Sequence, residues 1–148
     1  MSHTYTNLLT HVVFSTKDRS ELITDEIKPE LHAYLGGLIK ELKGKPIAIN
    51  GVGDHVHLLV SLPPTISLSD ALRFIKANSS KWVTDKFGKP FKWQKGYGAF
   101  SVSRSNVETV VKYIQNQEQH HRKFDFRTEF IEILRKSEVE CDEQFLWR

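Results

Sequence analysis

Short β-branched and apolar runs alternate along this chain with longer stretches in which apolar positions recur every three or four residues. "LLTHVVFST" (8–16) is of the first kind and predicts a strand. Residues 24–44 are of the second kind and predict a helix. Leu31, Leu35, Leu38 and Leu42 carry its apolar face, and Thr24 is placed to cap it. Gly36 and Gly37 either weaken that helix or mark close packing against a sheet. "KPIAINGVGDHVHLLVSL" (45–62) predicts two strands joined by a two-residue turn at Gly53-Asp54.

A second helix is expected over 67–88. Ser67 and Asp70 form its capping signal, and Leu68, Leu72, Ile75 and Trp82 form its apolar side. A fourth strand follows at 96–103 and a third helix at 105–121, opened by Ser105 and Glu108. A shorter helical pattern covers 127–139. No internal repeat, low-complexity tract or long linker interrupts this order, so one domain is expected over 1–148. The order β-α-β-β-α-β is that of the ferredoxin-like, split βαβ layout in the α+β class: an antiparallel sheet with helices on one face. Its other face is left for a ligand, a partner subunit or the additional C-terminal helices.

Composition narrows the class. With 39% apolar and 26% charged residues in 148, the chain reads as globular rather than disordered. No apolar run approaches a membrane span, and the first twenty residues lack the pattern of a secretion signal. The single cysteine, Cys141, excludes an intrachain disulfide and a cysteine-rich zinc site, and it fits a reducing cytoplasm. A net charge of +3 permits a polyanionic partner without demanding one.

"DHVHLLVS" (54–61) changes the picture. Strand alternation puts Val56, Leu58, Val60 and Leu62 on one wholly apolar face, and His55, His57, Leu59 and Ser61 on the other. The two imidazoles then stand about 7 Å apart along the strand, a spacing at which neutral imidazoles can chelate one cation. Taken alone, such a triplet is more often a hydrogen-bonded pair on a half-buried sheet. The expected third helix adds to it. Val107, Val110, Val111 and Ile114 form its stripe to be buried, and Tyr113 and Gln117 stack on the stripe's edge, a line that Asn106 and His120 continue. If that edge meets the open face of the sheet, a phenol and a neutral amide face the imidazoles. A cation can act there as a Lewis acid on a phosphodiester, and attack by the phenol conserves the bond as a phosphotyrosyl link. A core tyrosine beside a solvated glutamine is the plain alternative. Asp54, next to the motif, is expected to make the turn.

"DHVHLLVSLP" followed downstream by "YIQNQEQHH" resembles the HUH (histidine, hydrophobic residue, histidine) single-strand DNA transposases. More specifically, it resembles the one-tyrosine enzymes of the smallest bacterial insertion sequences and their relatives, the REP-associated tyrosine transposases. "VVFSTKDR", "ALRFIKANSSKWV", "WQKGYGAFSVS" and the terminal "FLW" extend the resemblance over nearly the whole chain. It implies that His55, His57 and Gln117 are metal ligands and that Tyr113 is the catalytic nucleophile, forming a 5′-phosphotyrosine link and releasing a 3′-hydroxyl. It implies Mg2+ or Mn2+, single-stranded DNA with hairpin ends as partner, and a homodimer in which the tyrosine helix can complete the partner's site. Magnesium prefers oxygen ligands, so a two-imidazole site suits manganese at least as well.

A DNA strand needs cations and stacking rings. Lys17 and Arg19 follow the first strand. Arg73, Lys76 and Lys81 lie on the second helix beside Trp82, itself expected in the core. Lys92, Trp93, Lys95 and Tyr97 share one loop, and His120 to Lys123 extend the third helix. The 92–97 loop and the second helix are the expected contacts. Two other readings remain open at this level: a hairpin-binding regulator without cleavage, and a small metal hydrolase that uses water as nucleophile.

Overall fold

The computed structural model describes residues 3–140. Four strands form the sheet: β1 (Leu9–Ser15), β2 (Lys45–Val52), β3 (His55–Ser61) and β4 (Gly98–Ser101). Five helices accompany them: α1 (Lys28–Glu41), α2 (Leu68–Phe87), α3 (Val107–Gln115), α4 (Gln117–His120) and α5 (Phe126–Lys136). The strand order is β2-β3-β1-β4 and every pairing is antiparallel. This is the expected α+β, split βαβ arrangement. β1 and β3 are its two central strands.

The apolar face of β3 packs as its alternation predicts. Val56, Leu58 and Val60 join Val12 and Phe14 of β1 in one core, together with Leu31, Leu35 and Ile39 of α1 and Leu72, Ile75 and Val83 of α2. Helix α2 begins as expected, with the Ser67 hydroxyl accepting from the Asp70 amide, and it ends on Gly88 at φ 68, a conformation that favours glycine. Helix α1 starts later than predicted. Thr24 accepts from the Ile27 amide through its hydroxyl at 3.3 Å, but this belongs to a preceding turn, and Pro29 opens the helix itself. A Cβ on Gly36 would meet Ile49 of β2 at 3.6 Å, ordinary packing distance, and one on Gly37 would meet nothing.

The opposite face of the sheet is covered by the C-terminal helices. Ile114 is fully buried there, whereas Val107, Val110 and Val111 are only half-buried, so the predicted stripe is covered at one end only. The Ser105–Glu108 box does not form: Asn106 is the N-cap of α3, without a side-chain cap bond, and Ser105 pairs with the Ser103 hydroxyl instead. The predicted single helix over 105–121 is interrupted at Asn116. The reason is a contact from a distant segment. The Asn50 amide on β2 donates to the carbonyls of Ile114 at 2.9 Å and Gln115 at 3.1 Å, capping α3 from the sheet. Among the described residues no helix is long and apolar enough to cross a membrane. Cys141 and the "FLW" segment lie outside the described residues.

Candidate active site

The Gly53-Asp54 turn aims the first imidazole. The Thr16 and Ile23 amides donate to the carbonyls of Asp54 and Gly53, both at 2.9 Å, and a Cβ on Gly53 would run into the Glu21 carboxylate. With the turn fixed, Asp54 Oδ1 lies 2.7 Å from His55 Nδ1. Asp54 therefore does more than make the turn: it orients a ring that is fully buried, as His57 is. His57 Nδ1 meets His11 Nε2 of β1 at 2.8 Å, and their rings stack at 5.1 Å.

Tyr113 and Gln117 do reach the imidazoles, within one chain. The Tyr113 ring stands 5.6 Å from that of His57, and Gln117 Oε1 lies 3.1 Å from His55 Nε2. A group that sequence reading missed sits between them: Glu129 of α5, 3% exposed. Its Oε1 lies 3.2 Å from His55 Nε2, 3.0 Å from His57 Nε2 and 2.9 Å from His121 Nε2. Its Oε2 accepts from the Tyr113 hydroxyl and, at 3.0 Å, from the Gln117 amide. Phe126 of α5 stacks on His55 at 4.4 Å and completes the cover. A cleft of about 320 Å³ between α3 and α5 reaches His11, Tyr113 and Glu129, with Val110 and Ile133 on its walls.

The electrostatics follow from burial and these contacts. Burial pulls His55 down, but bonds to Asp54 and Glu129 outweigh it and raise its pKa to about 9. Burial lowers His57 to about 4, against the opposing pull of Glu129. Burial, then neighbouring His57, lowers His11 to about 3. Burial works to raise Glu129, yet bonds from His121, His55 and His57 hold it far below the usual carboxylate range. Burial and the adjacent Glu129 anion push the Tyr113 phenol well above its ordinary value.

The donor set fits a cation. Asp54 can only accept, so His55 Nδ1 carries a proton. The Gln117 amide donates to Glu129, so its oxygen is the atom turned to His55. In a neutral His55, the Nε2 lone pair would then face two oxygens, at 3.1 and 3.2 Å. A proton or a cation has to sit among them. Bonds of about 2.1 Å to an octahedral ion leave adjacent ligands about 3.0 Å apart. The contacts to Glu129 Oε1 and Gln117 Oε1 span 2.9–3.2 Å. Nitrogen and oxygen donors of His55, His57, His121 and Glu129 all lie within 4.8 Å of one another.

Two signals in the sequence could have found the missed residues. On β1, His11 and Val13 alternate with the core residues Val12 and Phe14, so register puts His11 on the histidine face. In the last helix Phe126, Phe130 and Ile133 form a stripe, and Glu129 is a charge set within it. The expected DNA contacts divide. Lys92, Lys95 and Tyr97 are exposed. Trp93 is not a stacking surface: it is buried against Phe14, and its indole donates to Ser79 at 2.9 Å. Lys76 donates to the carbonyls of Gln94 and Gly96 at 2.7 and 2.6 Å, so it ties down the loop instead of projecting from it. Arg73 pairs with Asp70 at 3.1 Å on the exposed side of α2. Lys17 lies on an exposed 3-10 turn that Arg19 ends. Trp82 is half-buried, stacked on Tyr34 at 4.3 Å.

Comparison with known proteins points one way. The family described as "Transposase IS200 like" matches residues 4–117. The transposase for insertion sequence element IS200 of Salmonella typhimurium is 27% identical over 124 residues, 79% of this chain and 81% of that protein. The ISDra2 transposase TnpA of Deinococcus radiodurans is 24% identical over 114 residues, 72% of this chain and 81% of that protein. Among solved structures, a Deinococcus radiodurans chain assigned to the transposases superposes with a TM-score of 0.64 at 23% identity, covering 79% of this chain and 96% of that one. A REP-associated tyrosine transposase bound to a REP hairpin gives 0.60 at 19% identity, covering 82% of this chain and 73% of that one.

Proposed function

This chain belongs to the IS200-like transposase family, and from that premise we propose that it cuts and rejoins single-stranded DNA through a 5′-phosphotyrosine link on Tyr113. The observation that carries the reading is the convergence of Tyr113, Gln117, His55 and His57, brought together from α3, α4 and β3. His55, His57 and Gln117 would hold a divalent cation, Mg2+ or Mn2+. Such an ion supplies Lewis acidity toward the phosphate and the departing 3′-oxygen.

The chain's own groups do the rest. The Tyr113 oxygen attacks phosphorus as the P–O3′ bond breaks. The phenol proton passes to solvent water and the freed 3′-oxygen takes up a proton from solvent water, so the exchange of esters is proton-neutral. Because one ester replaces another, a 3′-hydroxyl can reverse the step and join strands without an external energy source. The Glu129 anion beside the phenol opposes its ionisation in the arrangement described. Asp54 and His11 fix the ring planes of His55 and His57. Gln117 offers its oxygen without adding charge that would repel phosphate.

The DNA would run along the exposed Lys92, Lys95 and Tyr97, with Lys17, Arg19 and Arg73 beyond. A hairpin is the expected substrate feature, on the likeness to a fold seen with a REP hairpin. Cytoplasmic action on DNA fits the single cysteine. A homodimer remains part of this reading, and the cis placement of Tyr113 supports a site that one chain can complete.

The test is a covalent adduct. Labelled single-stranded DNA from the flanks of the gene, incubated with Mn2+, should leave a denaturant-resistant complex with the wild type. Tyr113→Phe should lose the adduct and keep hairpin binding. Cleavage by Tyr113→Phe would make water the nucleophile and defeat the mechanism. Hairpin binding without an adduct in the wild type would leave a regulator.

A further inference from the structure

We propose that Glu129 is itself a ligand of the cation site, through Oε1, and that α5 exists in this chain to deliver it. The inference rests on the metal site argued above and adds a group to it.

The first argument is charge. Glu129 is a buried carboxylate whose bonding partners are imidazoles, an amide and a phenol, and a buried anion is costly unless a positive charge answers it. Asp54 adds a second carboxylate one ring away, 2.7 Å from His55. With the imidazoles neutral, one divalent cation would balance these two carboxylates.

The second argument is geometry. Oε1 approaches the Nε2 of His55, His57 and His121 together, at 2.9–3.2 Å, the separation of neighbouring ligands. Oε2 is engaged elsewhere, by Tyr113 and Gln117. The carboxylate thus offers one oxygen to the imidazoles and keeps the other for the nucleophile. The His11–His57 pair can reverse its hydrogen bond, so His57 Nε2 can present either a proton or a lone pair.

The third argument is how α5 is anchored. Asp125 Oδ1 accepts from the Thr128 amide at 2.8 Å and caps the helix. Phe126 lies on His55, and a Cβ on Gly98 would come within 2.6 Å of the Phe130 ring. Aromatic contacts on both sides of Glu129 seat it over β3 and β4. The family match ends at residue 117, so this ligand lies outside the matched set. An anionic oxygen also makes a two-imidazole site more hospitable to a hard ion such as magnesium.

Mn2+ binding to the full-length chain, read by loss of the free-ion electron paramagnetic resonance signal, tests the assignment. Glu129→Gln should bind Mn2+ at least tenfold more weakly than the wild type, and Glu129→Asp should fall between them. Far-UV circular dichroism checks each fold. Wild-type crystals grown with Mn2+ ask the same question without a variant, since the anomalous peak should lie within bonding distance of a Glu129 oxygen. Equal or tighter binding by Glu129→Gln, or a manganese ion bonded to His55 and His57 with Glu129 out of reach, would overturn the proposal. If the wild type takes up no Mn2+ at all, the metal site itself fails, and this inference with it.

Discussion

Lowering the pH from about 7.5 to about 5 with a chelator present probes how the imidazoles are held. His11 and His57 are buried and neutral in the folded chain, at pKa values of about 3 and about 4, against 6.5 when exposed. Below 6.5 the unfolded chain binds protons that the folded chain refuses, so stability must fall with pH. Linkage over that interval gives a loss of roughly 2 kcal/mol from each. His55 works the other way. Its folded pKa of about 9 makes its contribution fully present below 6.5 and lost as pH rises through 9, so acid returns roughly 1 kcal/mol. The net expectation is a loss of roughly 3 kcal/mol, a large share of the roughly 5–15 kcal/mol of a typical domain. Half-buried His32, lowered to about 4 by burial and then by Lys28, adds roughly 2 kcal/mol to the net of those three groups, for roughly 5 in all. Urea denaturation across this range measures it. His57→Gln should shrink the total loss by roughly 2 kcal/mol. A wild type whose stability is flat between these pH values, or a variant that loses as much as the wild type, would refute the reasoning.

Saturating Mn2+ should raise the wild-type unfolding temperature by less at about pH 5 than at about pH 7.5, because the proton that His55 holds below about 9 competes with the ion more strongly in acid. Lys92→Ala and Lys95→Ala should each flatten the salt dependence of single-strand binding by about 0.7 in logarithmic slope. Lys76→Ala should lower affinity by loosening the loop and leave that slope unchanged. Gly98→Ala should destabilise by about 1–3 kcal/mol in urea, because its Cβ would press on Phe130. Gly37→Ala should stabilise by about 0.5–1 kcal/mol, since it sits within α1 with open space around it.

Period-two alternation identified β3 and its two faces because both neighbours pair with it and nothing competes with the pleat. Apolar positions three and four residues apart predicted the helices of the main core and put Tyr113 and Gln117 on one edge of the third helix. What the sequence concealed came from contacts between distant segments. Asn50 breaks the third helix from across the sheet, and no local signal at 116 announces it. Trp93 resembled a surface ring because lysines flank it, yet the isolated bridge from Thr16 to Trp93 draws it inward. Glu129 was hidden for the opposite reason. A carboxylate on an apolar stripe looks like an irregularity until the imidazoles it meets are known.

The Asn50 side chain joins two parts of the molecule with different duties. The imidazoles stand on an interior strand, zipped to a neighbour on either side, and cannot shift without opening the sheet. Phenol, amide and carboxylate all arrive after residue 101, on three helices that this asparagine helps to fasten to the platform. Loosening that tether should leave the platform standing and spoil the aim of what lies above it. Damage to one half of this protein would thus be read in a melting curve, and damage to the other in turnover.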